Sequence, residues 1–334
     1  MQLRPRLSHY LQRLALCIGV VALAGAASLL LERCLNAYIN QVMVFMAVNV
    51  ILAVSLNLVN GDAGLFSIGH AGFMAIGAYT AAWFSVTYGR PWLESACGGS
   101  PTPLVTSIYL LGVMLVGGLA AAVGGLLAGL PALRLRGDYL AIATLGFGEI
   151  IRVVLLNVDA VGGARGLAGI PRYSSLFLCL VVAVLTATAL RNLNRSAHGR
   201  AIMAVREDET SAEALGIDCA RYKALAFVVG AFFAGMAGCL YAHYLQFIHP
   251  RGFDFMKSIE LVLMVVLGGG RISGVIVAAI AVTLLPEGLR QVKDTLHLET
   301  DPRMVLYSGL LIATMLVRAR RFGPRRRGGG RRAR

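Results

Sequence analysis

The chain has 334 residues, 57% hydrophobic and only 14% charged, with a formal net charge of +14. That composition excludes an ordinary water-soluble domain, where about 25% of residues are charged. Six cysteines at 17, 34, 97, 179, 219 and 239, without a CxxC pair, exclude a metal-binding framework.

The apolar residues fall in long continuous runs, not in alternation. A bilayer core needs about 20 apolar residues of helix to cross, and only helices or closed barrels satisfy their own backbone there. The runs therefore predict an all-α polytopic membrane protein of about ten transmembrane helices, some broken at Gly-rich segments. Expected spans are about 14–31, 40–59, 70–88, 104–130, 139–157, 174–190, 223–246, 257–268, 272–289 and 304–317. The eighth and ninth, separated by GGGRISG, also fit one broken element. No segment between spans is long enough to fold as a soluble domain. Residues 1–317 thus read as one transmembrane domain and 318–334 as a basic, disordered tail.

The first run resembles a cleaved signal, with a basic start and AGAAS after its apolar middle. A retained span is the expectation, because cleavage would invert every span that follows. Arg4, Arg6 and Arg13 on the cytoplasmic side then put LRLRGD at 133–138, the 191–222 loop and the tail on that side as well. The opposite loops, around 32–39, 89–103 and 158–173, carry fewer positive charges per residue, so both termini are expected to be cytoplasmic.

Between the second and third spans, NGDAGLFSIGHAGFMAIGAY (60–79) is rich in helix-weakening residues. Gly72 and Gly77 read as close-packing positions. Gly61 to His70 reads as a break or cap of the kind transporters place near the midplane to face an anionic group. Gly64, Ser67, Gly69 and His70 are therefore candidate pathway residues, with a hydrogen-bonded structural role as the alternative for His70. Glu149 sits mid-span in LGFGEIIR, where a carboxylate is costly, and Arg152 shares its helical face. Glu149 and Arg152 read either as an internal ion pair or as groups met by a passing solute. Cys17, Cys179 and Cys239 read as small apolar packers. Cys34 and Cys97 could pair on the outer face.

The sharpest departure from hydrophobicity is REDETSAEALGIDCARYK, with eight charged residues between Arg206 and Lys223. Asp208 is placed to cap a short helix whose first residue is Glu209. Gly216 suits the left-handed residue that ends it, with Ile217 folding back on Ala212. Such a helix is too short to stand alone in water. A solvated connector and a docking helix both fit, the latter presenting Ala212 and Ala214 as a small-sided face. Further on, Lys257 with Glu260 and Glu287 with Arg290 read as interfacial pairs. His243, late in the seventh span, reads as an interface residue. The nine arginines of RARRFGPRRRGGGRRAR leave +5 for everything else. Directly after a span they read as an anchor on anionic lipid, not a nucleic-acid site.

Several stretches together resemble the permease subunits of branched-chain amino-acid ABC importers, the LivM type. They are GRAIMAVREDETSAEALGIDCARYKALAFVVGAFFAGMAGCLYAHYL, GLFSIGHAGFMAIGAYTA (64–81), LRLRGDYLAIATLGFGEIIRVVLLN (133–157), SIELVLMVVLGGG and LLPEGLR. The resemblance runs in order from about 40 to 290, and departs from the family pattern at GGGRISGVIVAAI. It implies an inner-membrane permease forming half of a translocation pathway. It also implies a second permease subunit, two ATP-binding subunits carrying ATP and Mg, and a periplasmic substrate-binding protein. The coupling helix would comprise Arg206, Glu207, Asp208, Glu209, Ala212, Glu213, Ala214, Leu215 and Gly216. The chain has no GxxxxGK[ST] phosphate loop, and its lysines are 223, 257 and 293. No bound cofactor and no enzymatic activity are expected of it. Urea, short amides or other small solutes remain alternative cargoes, and a proton-coupled secondary transporter using His70 and Glu149 is the rival from another class.

Overall fold

The computed structural model describes residues 36–89, 103–132, 135, 137–296, 309 and 312. The expected first span, the tail, Cys17, Cys34 and Cys97 lie outside the described residues, as does all of the tenth span but Gly309 and Ile312. Ten α-helices are described. They are α1 (Ala37–Asn57), α2 (His70–Phe84), α3 (Pro103–Ala132), α4 (Asp138–Asn157), α5 (Leu176–Arg195), α6 (Ala197–Glu207), α7 (Glu209–Ala214), α8 (Cys219–Leu245), α9 (Phe255–Gly268) and α10 (Ile272–Leu296). The first continues through a π-helical turn, Leu58–Asp62, and the second through another, Ser85–Gly89. Residues 285–334 form a second unit, of which the described part is the end of α10 with Gly309 and Ile312.

Eight of the expected spans fall on described helices. Five are long and apolar enough to cross a membrane: Ala37–Asp62, Val105–Leu130, Asp138–Asn157, Leu176–Arg195 and Cys219–Leu245. The other three are shorter apolar elements: α2 with 15 residues, α9 with 14, and Ile272–Gly288 of α10. The expected eighth and ninth spans are separate helices. Gly269 and Gly270, both at positive φ, turn the chain between them.

Glycines set the centre of the bundle. A Cβ on Gly77 of α2 would stand 2.2 Å from Gly235 Cα of α8, and one on Gly117 of α3 would stand 2.8 Å from Gly77 O. One on Gly235 would in turn stand 2.7 Å from Gly117 O. Three helices therefore cross backbone against backbone, as small residues permit where lipid offers no hydrophobic drive to associate. Gly72 meets Gly148 of α4 in the same way, its absent Cβ being 2.9 Å from Gly148 Cα. The packing role expected of Gly72 and Gly77 is thus what the structure has. Around the crossing, Tyr79, Phe227, Met74, Leu110 and Leu240 are almost wholly buried.

The two ends of the bundle differ. At one end the π turn 58–62, the last residues of α5, the helices α6 and α7, and the turn at Gly270 converge. Asn57 Nδ2 donates to Gly270 O at 3.4 Å, and Asn194 Nδ2 donates to Asp62 Oδ2 at 2.6 Å. At the other end the 158–175 connection meets the 246–254 connection. There Leu167–Ala168 (β1) pairs antiparallel with Phe247–Ile248 (β2), Leu167 opposite Ile248. Several buried polar side chains inside the bundle find partners within it. His243, in the last turn of α8, is wholly buried and lies 2.8 Å from Ser85 Oγ and 2.9 Å from Cys239 O. Lys257 Nζ binds both Glu260 Oε2 and Asn49 Oδ1 at 3.0 Å. That network ties α9 to α1.

Candidate functional site

The charged interlude folds as a compact hook. Ser196 caps α6, accepting from Gly199 N at 3.2 Å. Asp208 then turns extended and caps α7: Oδ1 accepts from Thr210 N at 2.9 Å, Ser211 N at 3.3 Å and Thr210 Oγ1 at 2.8 Å. Its Oδ2 accepts from Ser211 Oγ at 2.8 Å. At the far end Gly216, at φ 80°, lets Gly216 N reach Glu213 O at 2.9 Å and Ile217 N reach Ala212 O at 3.0 Å. These two bonds are the Schellman pattern that only a left-handed residue allows without strain. Both ends of α7 are therefore closed by the side chain and the glycine that the sequence singles out.

A small apolar core supplies the packing that a two-turn helix needs. Ala212, Val205 and Cys219 are buried together, with Ile217 and Tyr222 against them. Lys223, 6% exposed, reaches back from α8 to form an ion pair with Glu209. This corrects one expectation. Ala212 faces the hook's own core at 2% exposure and offers nothing to a partner, whereas Leu215 stands 80% exposed beside exposed Ala214 and Glu213. The apolar tip of the hook is Leu215.

Hydrogen bonds to its carboxylate hold the Asp208 pKa down to about 2. A depressed carboxylate pKa favours the fold fully above its ordinary value near 4 and loses that contribution as pH falls toward 2. Amide exchange across 209–216 is accordingly expected to be equally protected at pH 7 and pH 5 and to lose protection below pH 4. The Asp208→Asn chain, which keeps the acceptor oxygen without the charge, should lack that pH dependence.

From the hook a direct contact leads into the broken span. Arg206 Nη1 donates to Gly61 O at 2.8 Å, across 145 residues of sequence. Its side chain lies on Gly64, where an added Cβ would come within 2.6 Å of Arg206 Cγ. Gly64 itself is at φ 69°. Asn60 clamps the turn, donating to Ser67 O and accepting from Ser67 N, both at 3.1 Å. Ile68 N donates to Thr144 Oγ1 at 3.1 Å. A Cβ on Gly69 would lie 2.2 Å from Thr144 O, so the end of the 64–69 segment threads tightly beside α4. The break is real. However, Gly61 and Gly64 lie at the hook end of the bundle and not at its middle. The sequence expectation of a midplane break is corrected there, because the chain leaves α1 at the level of Arg206 and then packs against Thr144 of α4 before reaching His70.

His70 begins α2, buried, with Nε2 2.9 Å from Ser55 Oγ and its ring edge-on to Phe73. This is the hydrogen-bonded structural arrangement. Ser67 is also buried, and its hydroxyl has no hydrogen-bond partner. Glu149 and Arg152 pair with each other on α4 at 2.7 Å, their side chains 35% and 27% exposed. Among the described residues their polar contact is with each other and not with Gly64, Ser67 or His70. The sequence reading misses Asn57 and Asn194, which brace Asp62 from two sides. The signal available for Asn57 is an amide within the apolar AVSLNLV. At the opposite end an open cavity of about 400 Å³ is lined by Asn40, Arg172, Ser175 and Tyr244, with the Arg172 guanidinium 5.0 Å over the Tyr244 ring.

Among the described residues no group of histidine, cysteine or carboxylate side chains is placed to hold a metal ion. What the arrangement presents is a capped hook with an apolar tip, bonded through Arg206 to the π turn that ends α1.

The family described as branched-chain amino acid transport system / permease component matches residues 38–317. The high-affinity branched-chain amino acid transport system permease protein LivM of Escherichia coli K12 is 36% identical over 305 residues, covering 80% of this chain and 66% of that protein. The chain thus spans just under two thirds of that relative's length. A probable LivM permease of Methanocaldococcus jannaschii is 24% identical over 84% of this chain and 90% of its own length. The LivH permease of Salmonella typhimurium is 26% identical over 80% of this chain and 88% of its own. No solved structure matches. With the family matched over most of its length, the chain belongs to the permease components of branched-chain amino acid transport systems.

Proposed function

We propose that this chain is the LivM-type permease of an ATP-binding-cassette importer in the bacterial inner membrane. It forms half of the pathway for branched-chain amino acids. The carrying observation is the capped hook whose neighbouring Arg206 is bonded to Gly61 at the end of a membrane span. The hook faces the cytoplasm, both termini lie there, and one of two ATP-binding subunits seats Leu215 in a cleft. ATP and Mg belong to those subunits, and this chain binds no cofactor. A second permease completes the pathway, and a periplasmic binding protein delivers the solute at the end that carries Arg172.

In this mechanism, movement of the hook is carried by Arg206 to the π turn and by Asn194 to Asp62. The 64–69 segment, held by Asn60 and Thr144, moves with it and shifts the start of α2. Ser67 lies in that moving segment and His70 directly follows it, so they act on the pathway by position. Glu149 and Arg152 satisfy each other and leave no free charge for a substrate. Selectivity then resides mainly in the binding protein.

The test is to tag this chain, purify it with its associated polypeptides, and reconstitute the assembly in vesicles with the binding protein. ATP-dependent uptake of leucine is the expected result. Uptake of urea with exclusion of leucine would change the cargo. Proton-driven transport by the isolated chain would overturn the reading.

A further inference from the structure

We infer that the open cavity at the end opposite the hook receives the cargo as a zwitterion, with the Arg172 guanidinium on its carboxylate and the Asn40 amide oxygen on its ammonium. That an amino acid arrives at this end rests on the proposed function. The cavity holds about 400 Å³, within the range of small-molecule sites, about 300–1,000 Å³.

Its walls come from three elements: Asn40 in the first turn of α1, residues 172–176 leading into α5, and Tyr244 at the end of α8. These walls are fixed. Ser174 Oγ donates to Leu240 O at 3.0 Å, and Ser175 Oγ accepts from Leu178 N at 3.3 Å to cap α5. Tyr173 stacks on the buried His243 ring, with centroids 6.1 Å apart. An entering ligand meets groups already in place, which lowers the ordering cost of binding.

The charges on the cavity are unspent. Arg172 is exposed, and its guanidinium lies 5.0 Å over the Tyr244 ring. Among the described residues no carboxylate forms an ion pair with it. An aromatic face holds a cation without neutralising it, so the planar fork keeps donors for a carboxylate. Leu176 begins α5, whose positive helix end adds to the same field. Asn40 supplies the other half: its Oδ1 is buried and has no hydrogen-bond partner. The terminal torsion of an asparagine is soft. Turning that oxygen into the cavity therefore breaks no bond to it and pairs an acceptor otherwise left unmet. Leu176, 1% exposed, and the two tyrosine rings offer apolar contact for a short side chain.

A cation and an unmet acceptor on one cavity select a ligand that carries both charges. An acidic side chain of a docking protein would use Arg172 alone and leave Asn40 unpaired. An apolar segment laid over the cavity would strand both groups, so the apolar runs outside the described residues do not suit it. A small zwitterion with an apolar side chain satisfies cation, acceptor and wall together.

The test uses the whole complex in lipid nanodiscs, without binding protein, and saturation-transfer NMR on the methyl protons of L-leucine, of leucinol, which lacks the carboxylate, and of isocaproate, which lacks the ammonium. Leucine is expected to give the strongest transfer, isocaproate less and leucinol least. Arg172→Gln should weaken leucine binding roughly tenfold or more, with Arg172→Lys between the two. Asn40→Ala should remove the advantage of leucine over isocaproate. Equal leucine signals from the Arg172→Gln and unaltered complexes, both eluting as intact assemblies, would overturn the inference, as would equal signals from leucinol and leucine. Affinity of the binding protein for the nanodiscs, read in parallel, is expected to be unchanged by Arg172→Gln. If docking falls while the leucine signal stays, Arg172 serves a carboxylate of that protein and the inference fails. A leucine signal that appears only with Glu32→Gln would give Arg172 to the chain's own carboxylate and would also overturn it. ATP-driven leucine uptake by the unaltered complex, measured first, keeps the functional reading apart, since it can stand while this site falls.

Discussion

Replacing Gly77 with leucine is expected to prevent the chain from yielding a stable, monodisperse protein. A Cβ at that position would lie 2.2 to 2.5 Å from three backbone atoms of Gly235, and the carbonyl of Gly77 is itself tightly approached from Gly117. No rotamer relieves a clash with backbone, so α2, α3 and α8 would have to separate. Overpacking usually costs about 1–3 kcal/mol and more where backbone must move. Because the separation also undoes the contacts around Tyr79, Met74 and Phe227, we place this substitution at about 3 kcal/mol or above. Gly112→Leu is the control, since a Cβ on Gly112 of α3 meets nothing within 4 Å. Thermal unfolding of the detergent-extracted chains, followed by size-exclusion chromatography, checks the pair. Equal stability of the two variants would refute the crossing as the centre of the fold.

The second large effect is expected at the hook. Leu215→Asp replaces its 80% exposed apolar tip with a charge and leaves both caps of α7 intact. ATP-driven uptake should therefore be lost while the spans remain folded, because a carboxylate is poorly accommodated in an apolar cleft. Arg206→Ala acts one step further in. It removes the charged bond to Gly61, which is partly solvent-screened and worth about 1–1.5 kcal/mol. If that bond transmits the stroke, uptake falls roughly tenfold while ATP hydrolysis continues. Arg206→Lys should recover part of the loss by offering a donor to the same carbonyl. Loss of uptake together with loss of ATPase binding is expected for Leu215→Asp alone, so co-purification separates the two variants.

Much of this architecture is legible in the sequence, and the limits have physical causes. Apolar run length locates eight described helices, five of them long enough to cross a membrane, because hydrocarbon sets the length a crossing helix needs. The hook is legible to single residues, since Asp208, Gly216 and Ile217 act on backbone a few positions away, and local capping depends little on the rest of the molecule. The facing of Ala212 is different. In a helix of six residues the buried side is decided by Val205 and Cys219 on neighbouring helices. Nothing beside Lys223 in the sequence marks it as buried, yet it is, because Glu209, fourteen residues earlier, meets it.

Long-range contacts are the least legible. Nothing local in Gly61 or Arg206 announces a hydrogen bond across 145 residues, and the glycines at 77, 117 and 235 show only that each helix has a thin place. A break in a span is likewise visible as composition, while its depth is not. Depth at 58–69 is set by Arg206 and Asn194 at one end and by Ser55 holding His70 inside the bundle.

The most direct measurement is chemical cross-linking from Leu215→Cys in the intact cell membrane. The account predicts a covalent product with a co-purifying ATP-binding subunit, and no reaction with a membrane-impermeant thiol reagent added outside the cell. Labelling of that cysteine from the outside, with no product linking it to an ATP-binding subunit, would contradict it.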